Sequence, residues 1–135
     1  MICDWSIGDL PGLSQPERIL LETLGITTTR QLLAAAPDAA TKQQLAASLG
    51  AKIQYVNKLL ALADLARLAG VGCQYNGLLL HTGIISVKQL SQMPAHKIHQ
   101  QLLKLHVATL QRRDLCPNLA QVQGWIKQAG AIVDS

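Results

Sequence analysis

The sequence predicts an all-α protein folded as one compact body, and three observations carry that expectation. A pattern of turn, helix, turn and helix occurs twice along the chain. Apolar residues recur at helical spacing, while no stretch alternates with period two for long enough to suggest a sheet. The apolar content is also of a helical kind: 49% of the 135 residues are hydrophobic, yet Phe is absent and only Trp5, Tyr55, Tyr75 and Trp125 are aromatic. A core built from Leu, Ile, Val and Ala favours helices, and this length suits a single domain.

The duplication appears when the chain is laid on itself with a shift of 58 residues, which aligns 24 residues from Leu10 with 24 from Leu68 and gives eight identities. Gly12 matches Gly70, Leu20 and Leu21 match Leu78 and Leu79, Gly25-Ile26 matches Gly83-Ile84, and Gln31-Leu32 matches Gln89-Leu90. Arg30 and Lys88 match in charge, and a later Gln-Gln-Leu recurs at residues 43–45 and 100–102. The pseudo-repeats are expected over 10–66 and 67–130 within a single domain of 1–135.

Each element has a local cause. Ser14 followed by Glu17 is a capping-box pattern, with Pro16 suited to a first turn, so a helix is predicted over about residues 15–24. Gly25 and Gly83 fall just past helix ends, where the chain must reverse. Thr28 and Ser86 can cap two short helices. Asp38 after Pro37, and Ala95 after Pro94, open further helices that place Leu45 with Leu49, and Ile98 with Leu102 and Leu105, on one face. Ile53, Val56, Leu60, Ala63 and Leu65 trace a longer central helix between the copies. Asn118 after Pro117 starts a last helix through Val122, Trp125, Ile126 and Ala129, predicted to stop at Gly130.

Leu68-Ala69-Gly70-Val71-Gly72, then a helix with Leu78 and Leu79, then Gly83-Ile84, resembles a helix-hairpin-helix motif. Bare glycines permit the tight hairpin and let backbone N–H groups approach an anion at a helix N-terminus. In DNA-binding members of that class the hairpin contacts backbone phosphates, which carry no direct base information. The whole chain also resembles a bacterial domain-of-unknown-function family of tandem helix-hairpin-helix units. Leu10-Pro11-Gly12 with Gly25-Ile26-Thr27-Thr28, Ala63-Asp64-Leu65 with Arg67 and Gly70-Val71-Gly72, and Val122 with Trp125 and Ala129 carry that resemblance. It implies two helix-hairpin-helix repeats, each followed by packing helices, and assigns no activity. The first copy departs from the phosphate-binding pattern, since Gly12-Leu13-Ser14 replaces Gly-x-Gly and Glu17 lies just downstream; it is expected to be scaffold.

Charge separates the halves further. The net charge is +4, but residues 1–66 carry five Lys or Arg against six Asp or Glu, and residues 67–135 carry seven against two. No acid lies between Asp64 and Asp114. An anionic partner would meet little repulsion there. Arg67, Gly70, Val71, Gly72, Lys88, Lys97, Lys104, Arg112 and Arg113 are therefore the candidate nucleic-acid-binding residues, for sequence-independent contact with a DNA or RNA backbone. The alternative is a helical protein-interaction adaptor or assembly factor, motivated by the modest net charge, the incomplete first hairpin and the lack of exposed aromatic platforms.

Other chemistries find little purchase. Paired acids, a nucleophile elbow, a phosphate loop and a reactive Cys near His are not found, so the protein is expected not to be an enzyme and to need no cofactor. His96, His99 and His106 can flank one side of a helix, but nothing makes them converge with Cys73 or Cys116, and no metal site is expected. The three cysteines are far apart and suggest reduced thiols, with Cys73 partly buried. Trp125 reads as core. No apolar run is long enough to span a bilayer and no leader pattern opens the chain, so no membrane association and a cytoplasmic location are expected.

Overall fold

A computed structural model describes residues 3–105 and 117–133. The all-α expectation holds: these residues form a short 3-10 turn, Ile7–Asp9, and eight α-helices. They are α1 (Gln15–Thr23), α2 (Thr29–Ala35), α3 (Ala39–Leu49), α4 (Ile53–Leu65), α5 (Gly72–His81), α6 (Val87–Ser91), α7 (Ala95–Leu105) and α8 (Leu119–Val133). Ser6 and Thr28 form one isolated β-bridge.

The helix starts follow their caps. The Ser14 hydroxyl accepts from the Glu17 N–H, and Thr28 caps α2 through the Gln31 N–H at 3.2 Å. Gln31 answers by accepting the Thr28 N–H at 3.2 Å, completing a reciprocal pair. Asp38 and Thr41 do the same for α3, and the Thr41 N–H and hydroxyl hold the Asp38 carboxyl below its ordinary pKa. Asn118 and Gln121 exchange bonds of 2.8 and 2.9 Å at the start of α8.

Bonds 58 positions apart recur. Ile26 donates to the Leu21 carbonyl at 2.9 Å and Ile84 to Leu79 at 3.1 Å, each closing a helix end. The intervening Gly25 and Gly83 have φ of +84° and +91°, the left-handed conformation that such a terminus demands. Gln31 accepts the Thr27 N–H at 2.7 Å, and Gln89 accepts the Ile85 N–H at 2.8 Å.

α8 runs three residues beyond the predicted stop at Gly130. A glycine inside a helix costs about 1 kcal/mol relative to alanine. Ala129 is fully buried and Ile132 packs on the same apolar cluster, so tertiary burial outweighs that loss.

Two apolar clusters fill the body. One gathers Leu21, Ile26, Leu32, Leu45, Val56 and Leu59; the other gathers Leu68, Leu79, Ile84, Leu90, Ile98, Leu102, Val122 and Trp125. α4 joins them: it packs on α2, α3 and α5, and gives Leu59 and Leu62 to the first cluster and Leu65 to the second. Each such aliphatic side chain stabilises the fold by roughly 1.5–3 kcal/mol. Buried Asn76 on α5 donates to the Leu62 carbonyl of α4 at 3.0 Å and accepts from the Gly77 N–H at 2.7 Å, so its burial is compensated.

A Cβ at Gly25 or Gly83 would meet nothing within 4 Å, so alanine there tests backbone conformation alone. Gly25→Ala and Gly83→Ala should each lower unfolding free energy in urea by about 1–2 kcal/mol, the cost of a left-handed L-residue. A much smaller loss would show that these turns relax into another conformation.

Candidate functional site

The hairpin between α4 and α5 carries the sequence-predicted glycines, and the N–H groups of Gly70, Val71 and Gly72 are bonded within the fold. The Gly70 N–H donates to Gln128 Oε1 of α8 at 3.1 Å, and the Val71 and Gly72 N–H groups donate to the Leu68 carbonyl at 3.1 and 2.8 Å. Val71 is buried. Bare surface is needed at both glycines, but for side chains of the same molecule. A Cβ on Gly70 would lie 3.0 Å from Trp125 Cδ1, and one on Gly72, where φ is +51°, would lie 2.7 Å from Trp5 Cζ2.

Trp5 is the residue that sequence reasoning missed. Its indole N–H donates to the Ala66 carbonyl at 2.7 Å, and Cys3 donates to the Arg67 carbonyl at 2.8 Å. On the other side, Trp5 N–H donates to Thr29 Oγ1 at 3.1 Å, Thr29 N–H returns a bond to the Trp5 carbonyl at 2.9 Å, and Asp4 accepts the Arg30 N–H at 3.0 Å. This segment straps the start of α2 to the α4–α5 hairpin. Trp5 lies upstream of the duplicated segments and so has no counterpart to point to it.

The candidate cations divide. Arg67 is engaged with Asp64, Nη2 to Oδ1 at 2.6 Å, and the second Asp64 oxygen accepts the Val87 N–H at 2.8 Å. Lys88 on α6 and Lys97 and Lys104 on α7 are exposed. Arg112 and Arg113, like His106 and Cys116, lie outside the described residues.

The remaining candidates have structural surroundings. Trp125 is 2% exposed and its ring centroid lies 5.1 Å from that of Tyr75, so it belongs to the core as its helix face predicts. His96 is exposed and His99 half-buried on α7, and among the described residues no three His, Cys, Asp or Glu side chains are grouped as a metal shell requires. Cys73 is half-buried, and burial, helped by the charge of Asp9, pushes its thiol up to about 11. At the first hairpin, exposed Gly12 has φ of +80° with the Lys58 ammonium nearby, and its carbonyl accepts from the Tyr55 hydroxyl at 3.4 Å. Burial first, then Glu17, pushes that phenol up to about 12.

A concavity lies elsewhere, across α4. It is an open groove of about 690 Å³, with Leu60 and Ala61 on its floor, Leu33, Ala36 and Pro37 on one side, and Leu80 and Ile85 on the other. Lys42, Lys58, Gln54, Asn57, Asp64 and Ser86 supply its polar lining. Ile85 is 60% exposed at the lip. The groove draws on residues distant in the chain, 33–64 from α2 to α4 and 80–86 from α5 and the turn after it, and its apolar lining at Leu33, Ala36, Leu60 and Leu80 belongs to the first cluster.

The architecture is that of an all-α protein, and among the described residues no helix is long and apolar enough to cross a membrane. The chain belongs to the family described as a domain of unknown function (DUF4332), whose model matches residues 11–132. That agrees with the domain-of-unknown-function family that its glycine turns and closing helix resemble. Comparison with curated proteins and with solved structures gives no match.

The contact between Trp5 and Gly72 yields a cycle. Gly72→Ala should cost about 3 kcal/mol by urea denaturation, combining left-handed strain with overpacking against the indole. In a Trp5→Ala background the same substitution should cost only the strain, about 1–2 kcal/mol. Equal costs in both backgrounds would mean that Trp5 does not occupy the hairpin.

Proposed function

We propose that this protein is a non-enzymatic protein-interaction adaptor whose recognition surface is the groove across α4. The observation that carries this reading is the pairing of an apolar floor, Leu60 and Ala61, with an isoleucine lip left 60% exposed. An exposed aliphatic beside an apolar trough gains by being covered, at roughly 25 cal/mol per Å² of apolar surface removed from water. The groove's volume is in the range of specific binding sites. The bonding of the second hairpin supports the same choice, because its Gly70, Val71 and Gly72 N–H groups already have acceptors. We read the two sets of recurring bonds as two helix-hairpin-helix units, serving as the frame that holds the groove.

A second reading, a sequence-independent nucleic-acid backbone binder, draws on one observation: Lys88, Lys97 and Lys104 are exposed in a stretch without acids. Binding of that kind would be weak and strongly salt-dependent. Gly72→Glu is a poor probe of it, since any side chain there strikes Trp5.

One experiment separates the two. A photo-reactive phenylalanine analogue placed at Ile85, at Lys97 or, as control, at Gln123 is activated in the native host. The adaptor reading predicts a discrete polypeptide adduct from position 85, several-fold above that from 123. Nuclease-sensitive adducts from position 97, with none from 85, would replace it with the nucleic-acid reading; equal yields at 85 and 123 would defeat it outright.

A further inference from the structure

We infer that the occupant of the α4 groove is an acidic, apolar segment of another polypeptide, its aliphatic side chains lying on Leu60 and Ala61 and its carboxylates meeting Lys42 and Lys58. The inference rests on the interaction reading above and names the partner's chemistry.

Charge accounting at the groove gives the sign. Among the described residues three ionisable side chains line it: Lys42, Lys58 and Asp64. Asp64 is already committed on both oxygens, one to the Arg67 guanidinium at 2.6 Å and one to the Val87 N–H at 2.8 Å. Neither lysine belongs to an ion pair among the described residues, where the pairs are Arg18 with Glu22 and Arg67 with Asp64. Asp38, one turn before Lys42, gives one carboxylate oxygen to the N–H and hydroxyl of Thr41; the Lys42 charge adds to the lowering of its pKa, but the two do not form an ion pair. A carboxylate entering the groove therefore meets two ammonium groups beside a low-dielectric floor, and an ammonium would meet repulsion.

The rest of the lining suits a peptide. Gln54, Asn57, Lys58 and Ala61 follow one another at helical spacing along α4, so the carboxamides stand beside the apolar floor. A carboxamide both donates and accepts, as a peptide main chain requires. Among the described residues no aromatic side chain lines the groove for a base to stack on. A second copy of this chain fits less well. Its α1 exposes Ile19 and Leu20, and Leu24 follows just past the helix end, but Glu22 is held by Arg18 at 3.0 Å and Glu17 by Ser14. Such a contact would also be head-to-tail and need not close.

The test pans a displayed library of random peptides, about 12 residues long, on the full chain at low salt. Selected sequences are then synthesised and titrated by fluorescence anisotropy against wild type, Ile85→Asp, Lys42→Glu/Lys58→Glu and, as control, Lys97→Glu/Lys104→Glu. All four positions of the charge reversals and Ile85 are at the surface or its edge, and circular dichroism verifies folding. The expected peptides combine Asp or Glu with Leu, Ile or Phe, and lose at least roughly tenfold in affinity to both groove variants while the control stays within about twofold. Peptides that lose affinity with Ile85→Asp but are neutral or basic would overturn the acidic occupant and leave the interaction reading standing. A library that yields no binder sensitive to Ile85→Asp would overturn both. Self-association of the chain abolished by Ile85→Asp, seen by light scattering, would replace the inferred partner with a second copy.

Discussion

Everything in this fold hangs on the burial of α4. Its side chains at Val56, Leu59, Leu60, Ala61, Leu62, Ala63 and Leu65 are all buried, which is more than a single apolar stripe provides. Leu59 and Leu62 complete one cluster and Leu65 begins the other. Because a native domain is stable by only about 5–15 kcal/mol, neither cluster can readily spare the helix that closes it. The Asn76 bond to Leu62 and the indole bond from Trp5 to Ala66 then fix the neighbouring hairpin relative to α4 through polar groups that have defined partners.

This constraint explains why the hairpin glycines are used inwardly. Gly70 and Gly72 sit where α4 turns into α5, beside Trp125 and Trp5, so the missing Cβ atoms admit two indoles close to the backbone. The same property that lets a glycine hairpin approach a phosphate lets it approach a ring. What α4 leaves open is the trough over Leu60 and Ala61, bounded by the end of α2 and by the α5–α6 turn. The trough thus lies apart from the hairpin that carries Gly70 and Gly72.

Much of the local architecture was legible in the residues themselves. Ser14, Thr28, Asp38, Ser86 and Asn118 each stand before a helix, and each acts as its cap, because capping depends on residue type a few positions apart. Gly25 and Gly83 were readable for the same reason. The burial of Trp125 followed from its place beside Val122 and Ala129 on one helical face. The stop assigned to Gly130 failed because a local signal competed with the burial of Ala129 and the packing of Ile132, which are tertiary facts. The site was less legible. Asp64 and Arg67 are one turn apart and could have been paired from spacing alone, which would have reduced Arg67 as a free cation. The Trp5 strap and the α4 groove join residues distant in the chain, and no periodicity or cap encodes such meetings.

If α4 makes the two halves one cooperative body, hydrogen exchange under native conditions across a urea series will report it. Amides of α4, α2 and α6 should exchange through a common opening with one free energy and one urea dependence, equal to those of global unfolding. Two separate isotherms, one for α1 to α3 and another for α5 to α8, would contradict it.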